Sequence, residues 1–218
     1  MKEQFPPEQP QISMEEYRRD FFEKERRCTR IFPDDEYQKL FVPAKLHWGI
    51  SSPAFILSKS YFDKHPHREI IPKDVEEKLI AINRDSVPDP DFITYLIEHE
   101  HWEDYVTDKK GFNLGKYDRA DFRLPILERN RPSHRYATVK EFQAAEKDGK
   151  LNQYMQWWRE FYQTDIEQIQ TMPEEEIKRI SKNYGENVGD RNMIVQFIQK
   201  NLKIKEDIYI KLVARREK

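Results

Sequence analysis

Residues 88–106 read Pro-Asp-Pro-Asp-Phe-Ile-Thr-Tyr-Leu-Ile-Glu-His-Glu-His-Trp-Glu-Asp-Tyr-Val. An Asp followed by Pro is a strong helix start, because the Asp side chain accepts from free N–H groups and Pro suits the first turn. The spacing predicts a helix from Phe92 to about Val106, with Tyr95, Leu96 and Trp102 largely buried.

Downstream, the chain passes Gly111 and Gly115 in a loop and reaches Thr138 and Glu141, which match a capping box before Phe142, Ala144 and Ala145. Beyond Asn152 the apolar positions recur at helical spacing. Tyr154, Met155, Trp158, Phe161 and Tyr162 form one stripe, Ile177, Ile180 and Tyr184 a second, and Met193, Ile194, Phe197, Ile198 and Leu202 a third. Upstream, Pro43, Pro53, Pro66, Pro72 and Pro88 punctuate two apolar runs of strand length, Ala54–Leu57 and Leu79–Ile82, with a helical turn expected from Asp74 to Leu79. Nearer the N-terminus, Ser13 and Glu16 fit a capping box, followed by a helical stripe of Tyr17, Phe21, Phe22 and Cys28 and a short apolar segment, Tyr37 to Phe41, ending before Pro43.

The expected architecture is therefore α+β, predominantly helical, with a small sheet of two or three strands near residues 45–85. Residues 1–12, with Pro6, Pro7 and Pro10, are expected to form a flexible leader, and residues 13–218 a single helix-rich domain.

Composition narrows the function classes. Hydrophobic residues are 37%, charged residues 36% and aromatics 13%, which predicts a folded protein with a highly charged surface and an aromatic-rich core. Thirty-eight basic against forty acidic residues leave a net charge of −2, so no global field draws in nucleic acid or an anionic membrane. Arg215-Arg216 is only a small basic tail. One cysteine, Cys28, excludes an intramolecular disulfide and a Cys-based zinc cluster. The Arg26-Arg27-Cys28-Thr29-Arg30 context allows a lowered thiol pKa, but a small residue on a helix face is the simpler account and the one expected here. The first eleven residues lack the apolar core of a signal peptide, and no run of about 18 apolar residues occurs. The cytoplasm is the expected location. Six glycines, with no Gly-rich phosphate loop and no Gly-x-Ser-x-Gly elbow, argue against nucleotide binding and serine hydrolase chemistry.

The concentrated chemistry is His99-Glu100-His101-Trp102-Glu103. Residues four apart on a helix project from one face, so His99 and Glu103 can converge on one metal ion. Glu100, beside the first ligand, is placed to take a proton from water activated there. His101 points about 160° from Glu103 on a helical wheel and belongs to another face. A third ligand has to come from elsewhere. His134 is the only downstream histidine and the first choice, Glu146 the second, because the capping box of Thr138 occupies Glu141. In a chain this charged, the same pair also fits a solvated i,i+4 contact worth a few tenths of a kcal/mol. His65 and His67, alternating around Pro66, fit either a metal pair or a polar turn. Trp157-Trp158 with Arg159 fit base stacking or, at helical spacing with Tyr154 and Phe161, the core.

Residues 78–106, an apolar strand followed by a loop and a His-Glu-x-x-Glu helix, resemble minimal zincin-like metallopeptidase domains, in which an edge strand holds substrate beside a His-Glu-x-x-His helix. Glu103 stands where those domains have the second histidine. The resemblance implies a zinc-dependent hydrolase, peptidase-like, or a relative that retains only metal binding. In it His99, Glu103 and His134 hold zinc, Glu100 is the catalytic base, and a protein or peptide is the substrate. The competing expectation is a non-catalytic protein-interaction protein whose charged helices engage a partner.

Overall fold

The computed structural model describes residues 13–44, 52–107, 131–183 and 190–216. The expected leader, the loop holding Gly111 and Gly115, and Tyr184 lie outside these residues. Ser13 caps α1 (Met14–Cys28): its hydroxyl accepts from the Glu16 amide, and the Glu16 carboxylate accepts from the Ser13 amide, the reciprocal capping box expected from the sequence. The chain then runs straight into β1 (Thr29–Phe32) and α2 (Asp34–Ala44), which continues through Pro43. β2 (Ala54–Ser58), a single helical turn α3 (Lys59–Phe62), a 3₁₀ turn at Arg68–Ile70 and β3 (Lys78–Asn83) follow. Five helices follow among the described residues: α4 (Pro90–Thr107), α5 (Pro132–Lys147), α6 (Leu151–Thr171), α7 (Glu174–Asn183) and α8 (Arg191–Arg216). The protein is α+β and predominantly helical, with a small mixed sheet.

The sheet has the order β1-β3-β2. β1 runs parallel to β3, with Thr29 opposite Ile80, and β2 runs antiparallel to it, with Ala54 opposite Ile82. Three sequence expectations are corrected here. The sheet is not confined to residues 45–85, since β1 comes from residues 29–32. Leu79–Ile82 is also the central strand rather than an edge, and this is why Leu79, Ile80, Ala81 and Ile82 are all fully buried without alternation. Nor is Asp74–Leu79 helical. A turn closed by the Val75 amide on the Pro72 carbonyl ends there, and the strand starts at Lys78.

Alternate β3 side chains feed two cores. Leu79 and Ala81 join Phe32, Tyr37, Leu40, Phe55 and Ile71 on the α2 side. Ile80 and Ile82 pack on the other side with Leu96, Phe142, Tyr154, Trp157 and Trp158 of the helices. Tyr95 and Leu96 are buried as expected, whereas Trp102 is half-buried between Phe22, Tyr105 and Tyr136. Trp157 and Trp158 belong to the core, so neither is available to stack a base. Gly149, at φ +73°, makes the reversal from α5 to α6. Its amide bonds Glu146 and the Lys150 amide bonds Ala145, a helix stop that calls for a left-handed residue. Among the described residues no helix is long and apolar enough to cross a membrane.

Central burial of β3 has a direct test. Leu79→Ala is expected to lower the unfolding free energy by about 2–5 kcal/mol. Ile31→Ala, at a side chain 48% exposed on β1, is expected to change it by less than about 0.5 kcal/mol. Urea midpoints of the two variants check the contrast.

Candidate metal centre

Helix α4 lays His99 and Glu103 one turn apart on the face that meets α5, and α5 presents His134 and Glu141 two turns apart on the facing side. The four side chains interlock. His99 Nε2 lies 3.1 Å from Glu103 Oε2 and 3.1 Å from His134 Nδ1, and His134 Nδ1 lies 2.9 Å from Glu103 Oε2. Two imidazole nitrogens and one carboxylate oxygen thus form a near-equilateral triangle, a group able to hold a metal ion. Ligand atoms around a tetrahedral ion with bonds of about 2.0–2.1 Å sit about 3.3 Å apart, so the triangle has to open by only a few tenths of an ångström. The solvated-pair alternative does not describe these groups, because His99 is 5% exposed and the Glu103 side chain 16%.

Behind the triangle stands Glu141. It is fully buried, and its Oε2 receives His99 Nδ1 at 2.5 Å. Tyr154 donates its hydroxyl to Oε1 at 2.6 Å and Trp158 its indole N–H at 2.8 Å, while the Lys205 ammonium lies 3.3 and 3.4 Å from the two oxygens. A carboxylate on the far nitrogen of a ligating histidine fixes the ring and leaves the other nitrogen for the metal. The expected capping role of Glu141 is therefore overturned. Thr138 sits inside α5, where its hydroxyl bonds the His134 carbonyl, and the helix begins earlier, at Pro132. The i, i+7 spacing of His134 and Glu141 was the sequence signal available for this residue.

The outer side of Glu103 is held by Arg131, whose guanidinium reaches Oε1 at 2.5 Å. Arg131 adopts a left-handed backbone, φ 40°, just before α5, a conformation costly for a residue with a Cβ. Glu146, the second choice for a ligand, is not in the centre and pairs with Arg216 instead. His101 points away as expected, its Nε2 3.0 Å from the Thr29 hydroxyl and its ring stacked on Phe22. His65 and His67 form no metal pair. His65 Nδ1 accepts the His67 amide and Nε2 donates to the Leu40 carbonyl, so neither ring nitrogen of His65 is left for an ion. Cys28 is buried, and burial, with Glu25 and Glu77 adding to it, pushes its thiol up rather than down.

The triangle opens onto a cavity of about 340 Å³. Glu100 lines it beside His99, with Ala54 and Ile56 of β2 on one wall and Phe161, Phe197 and Lys205 on the helical side. Comparison with family models, curated proteins and solved structures finds no match to this chain.

Charge in the centre is strongly coupled. Burial alone lowers the pKa of His99, but Glu141 and then Glu103 outweigh it and raise it to about 9. Burial holds His134 down at about 4 despite Glu103. Burial opposes ionisation of Glu141, yet Lys205 and His99 bring it down to about 2. Glu103 likewise falls well below the usual carboxylate range, because Arg131 and His134 overcome its burial. In Glu100 burial wins, and its carboxyl rises to about 7. Without metal, then, His99 is an imidazolium at neutral pH, with Nδ1–H facing Glu141 and Nε2–H facing Glu103.

A histidine whose pKa is raised on folding stabilises the native state fully below its unfolded value of about 6.5, and that stability is lost as pH rises through the folded value. With a folded value of about 9, the metal-free protein is expected to lose about 2 kcal/mol between pH 7 and pH 9. The raised carboxyls Glu25 and Glu100, both at about 7, act mainly below this window. Urea unfolding in the presence of chelator checks the slope, which His99→Gln should flatten.

Proposed function

We propose that this protein is a zinc-dependent hydrolase acting on peptide bonds, with His99, Glu103 and His134 as the zinc ligands. The observation that carries the reading is the convergence of two imidazole nitrogens and one carboxylate oxygen within 3.1 Å of one another at the mouth of a cavity. Two histidines and a glutamate with a fourth position open is a donor set that suits catalytic zinc. When bound, zinc supplies Lewis acidity to a carbonyl and makes water acidic enough to give up a proton near neutral pH.

The remaining chemistry belongs to the chain. Glu100 lines the cavity and its carboxyl is poised near neutrality, as a group that accepts and returns a proton has to be. Its raised value comes first from burial, so a cation beside it would favour the carboxylate, the form that accepts a proton. Arg131 holds the non-ligating oxygen of Glu103, leaving Oε2 directed at the histidines. Strand β2 supports a peptide as substrate. Pro53 and Lys59 exchange backbone bonds with the β3 side, so by alternation Ile56 turns its N–H and C=O outward, at the cavity wall. An extended chain can pair there as an added strand.

Metal analysis of untagged protein is expected to find about one zinc per chain. His99→Ala and His134→Ala should lower that content. Glu100→Gln should keep the zinc and reduce hydrolysis of a quenched fluorescent peptide library by about 10²–10⁴-fold. Zinc lost equally from the Glu100 variant would make that residue a ligand. No zinc in the wild-type protein overturns the reading in favour of a non-catalytic interaction protein.

A further inference from the structure

Lys205 is 2% exposed, on the middle of α8, 64 residues from Glu141 in sequence. Its ammonium sits astride the carboxylate, 3.3 Å from one oxygen and 3.4 Å from the other, and 3.7 Å from the centre of the Trp158 ring. A lysine in this place is costly to bury unless it is paired, so the arrangement calls for an account beyond packing. Ammonium and indole N–H groups donate only and cannot accept. Lys205 and Trp158 thus surround Glu141 with donors. The hydrogen in the 2.5 Å contact with His99 then has to come from the imidazole. Nδ1 donates, and Nε2 is the nitrogen directed at Glu103 and His134.

We propose that Lys205 is a positioning residue that holds Glu141 as a pure acceptor and so decides which nitrogen of His99 faces the cavity. Helix α8 contributes no ligand, yet it reaches the triangle through this one side chain by way of Glu141 and His99. The near-equal distances to both oxygens matter. The ammonium pins the plane of the carboxylate without drawing either oxygen away from its own partner, Oε1 from Tyr154 and Trp158 or Oε2 from His99. Removing the ammonium frees the carboxylate to rotate toward Tyr154 and Trp158, and the ring of His99 loses its fixed partner. The consequence for metal binding rests on the zinc reading above, whereas the orientation of His99 does not.

The test uses the full chain with Lys205→Met, which keeps an unbranched side chain one heavy atom shorter and removes its donors. Two readouts are taken: zinc affinity by titration of the metal-free protein, and the His99 Nδ1–H proton signal in ¹⁵N-edited NMR, assigned by its loss in His99→Gln. The expected result is a zinc affinity lower by about 10–100-fold, the usual effect of a lost partner behind a ligand. The Nδ1–H signal should also broaden or vanish while the far-ultraviolet circular dichroism stays native. Lys205→Arg, which retains donors and charge, should recover the signal. If Lys205→Met does not fold, Lys205→Gln replaces it with the same two readouts. A folded variant with an unchanged Nδ1–H signal and zinc affinity within twofold of wild type overturns the proposal. If the wild-type protein binds no zinc, the zinc reading fails, and the NMR signal alone then decides the role of Lys205.

Discussion

Everything at the centre of this protein depends on one buried carboxylate. Glu141 has no access to solvent, and a charge in that position is tolerable only if protein groups replace the water it has lost. Three helices supply the replacements: α4 through His99, α6 through Tyr154 and Trp158, and α8 through Lys205. The demand of a single side chain thus fixes the relative placement of four helices. It also explains why an aromatic cluster and a polar centre occupy the same layer. Tyr154 and Trp158 pack their ring faces into the apolar core and direct their polar atoms inward to Glu141.

The sheet serves this centre indirectly. With β3 buried on both faces, one side of the strand packs on α2 and the other on the helices carrying the site. β2, the strand beside β3 at one end of the sheet, lines the cavity with Ala54 and Ile56. The basic residues follow the same economy. Arg131 meets the carboxylate of Glu103 and Lys205 that of Glu141.

How much of this was legible in the sequence differs from element to element. Helix α4 was, because Asp89-Pro90 marks its start locally and Phe92 to Tyr105 carry the apolar residues. His134 was reachable by elimination among six histidines. β1 was not. Four residues, Thr29–Phe32, directly follow a helix, and their strand character comes from pairing with residues 80–83, a contact far away in sequence. Glu141 was misread for an instructive reason. Thr-x-x-Glu satisfies the capping pattern anywhere, and only the earlier start of α5 at Pro132 shows that Thr138 bonds back to His134 within the helix. Lys205 was invisible, since in a chain that is 36% charged nothing local separates a buried lysine from the many solvated ones.

The contact between His99 and His134 joins positions 35 residues apart in the chain. Any bond that ties them, whether through hydrogen bonds or a shared ion, closes that stretch into a ring. A covalent link across a loop of this length restricts the unfolded chain by about 4 kcal/mol in the entropic account. A coordinated ion would do the same reversibly, as a removable staple. Chelation would then untie α4 from α5 at this one contact, and the two helices would regain the freedom that the ion removes.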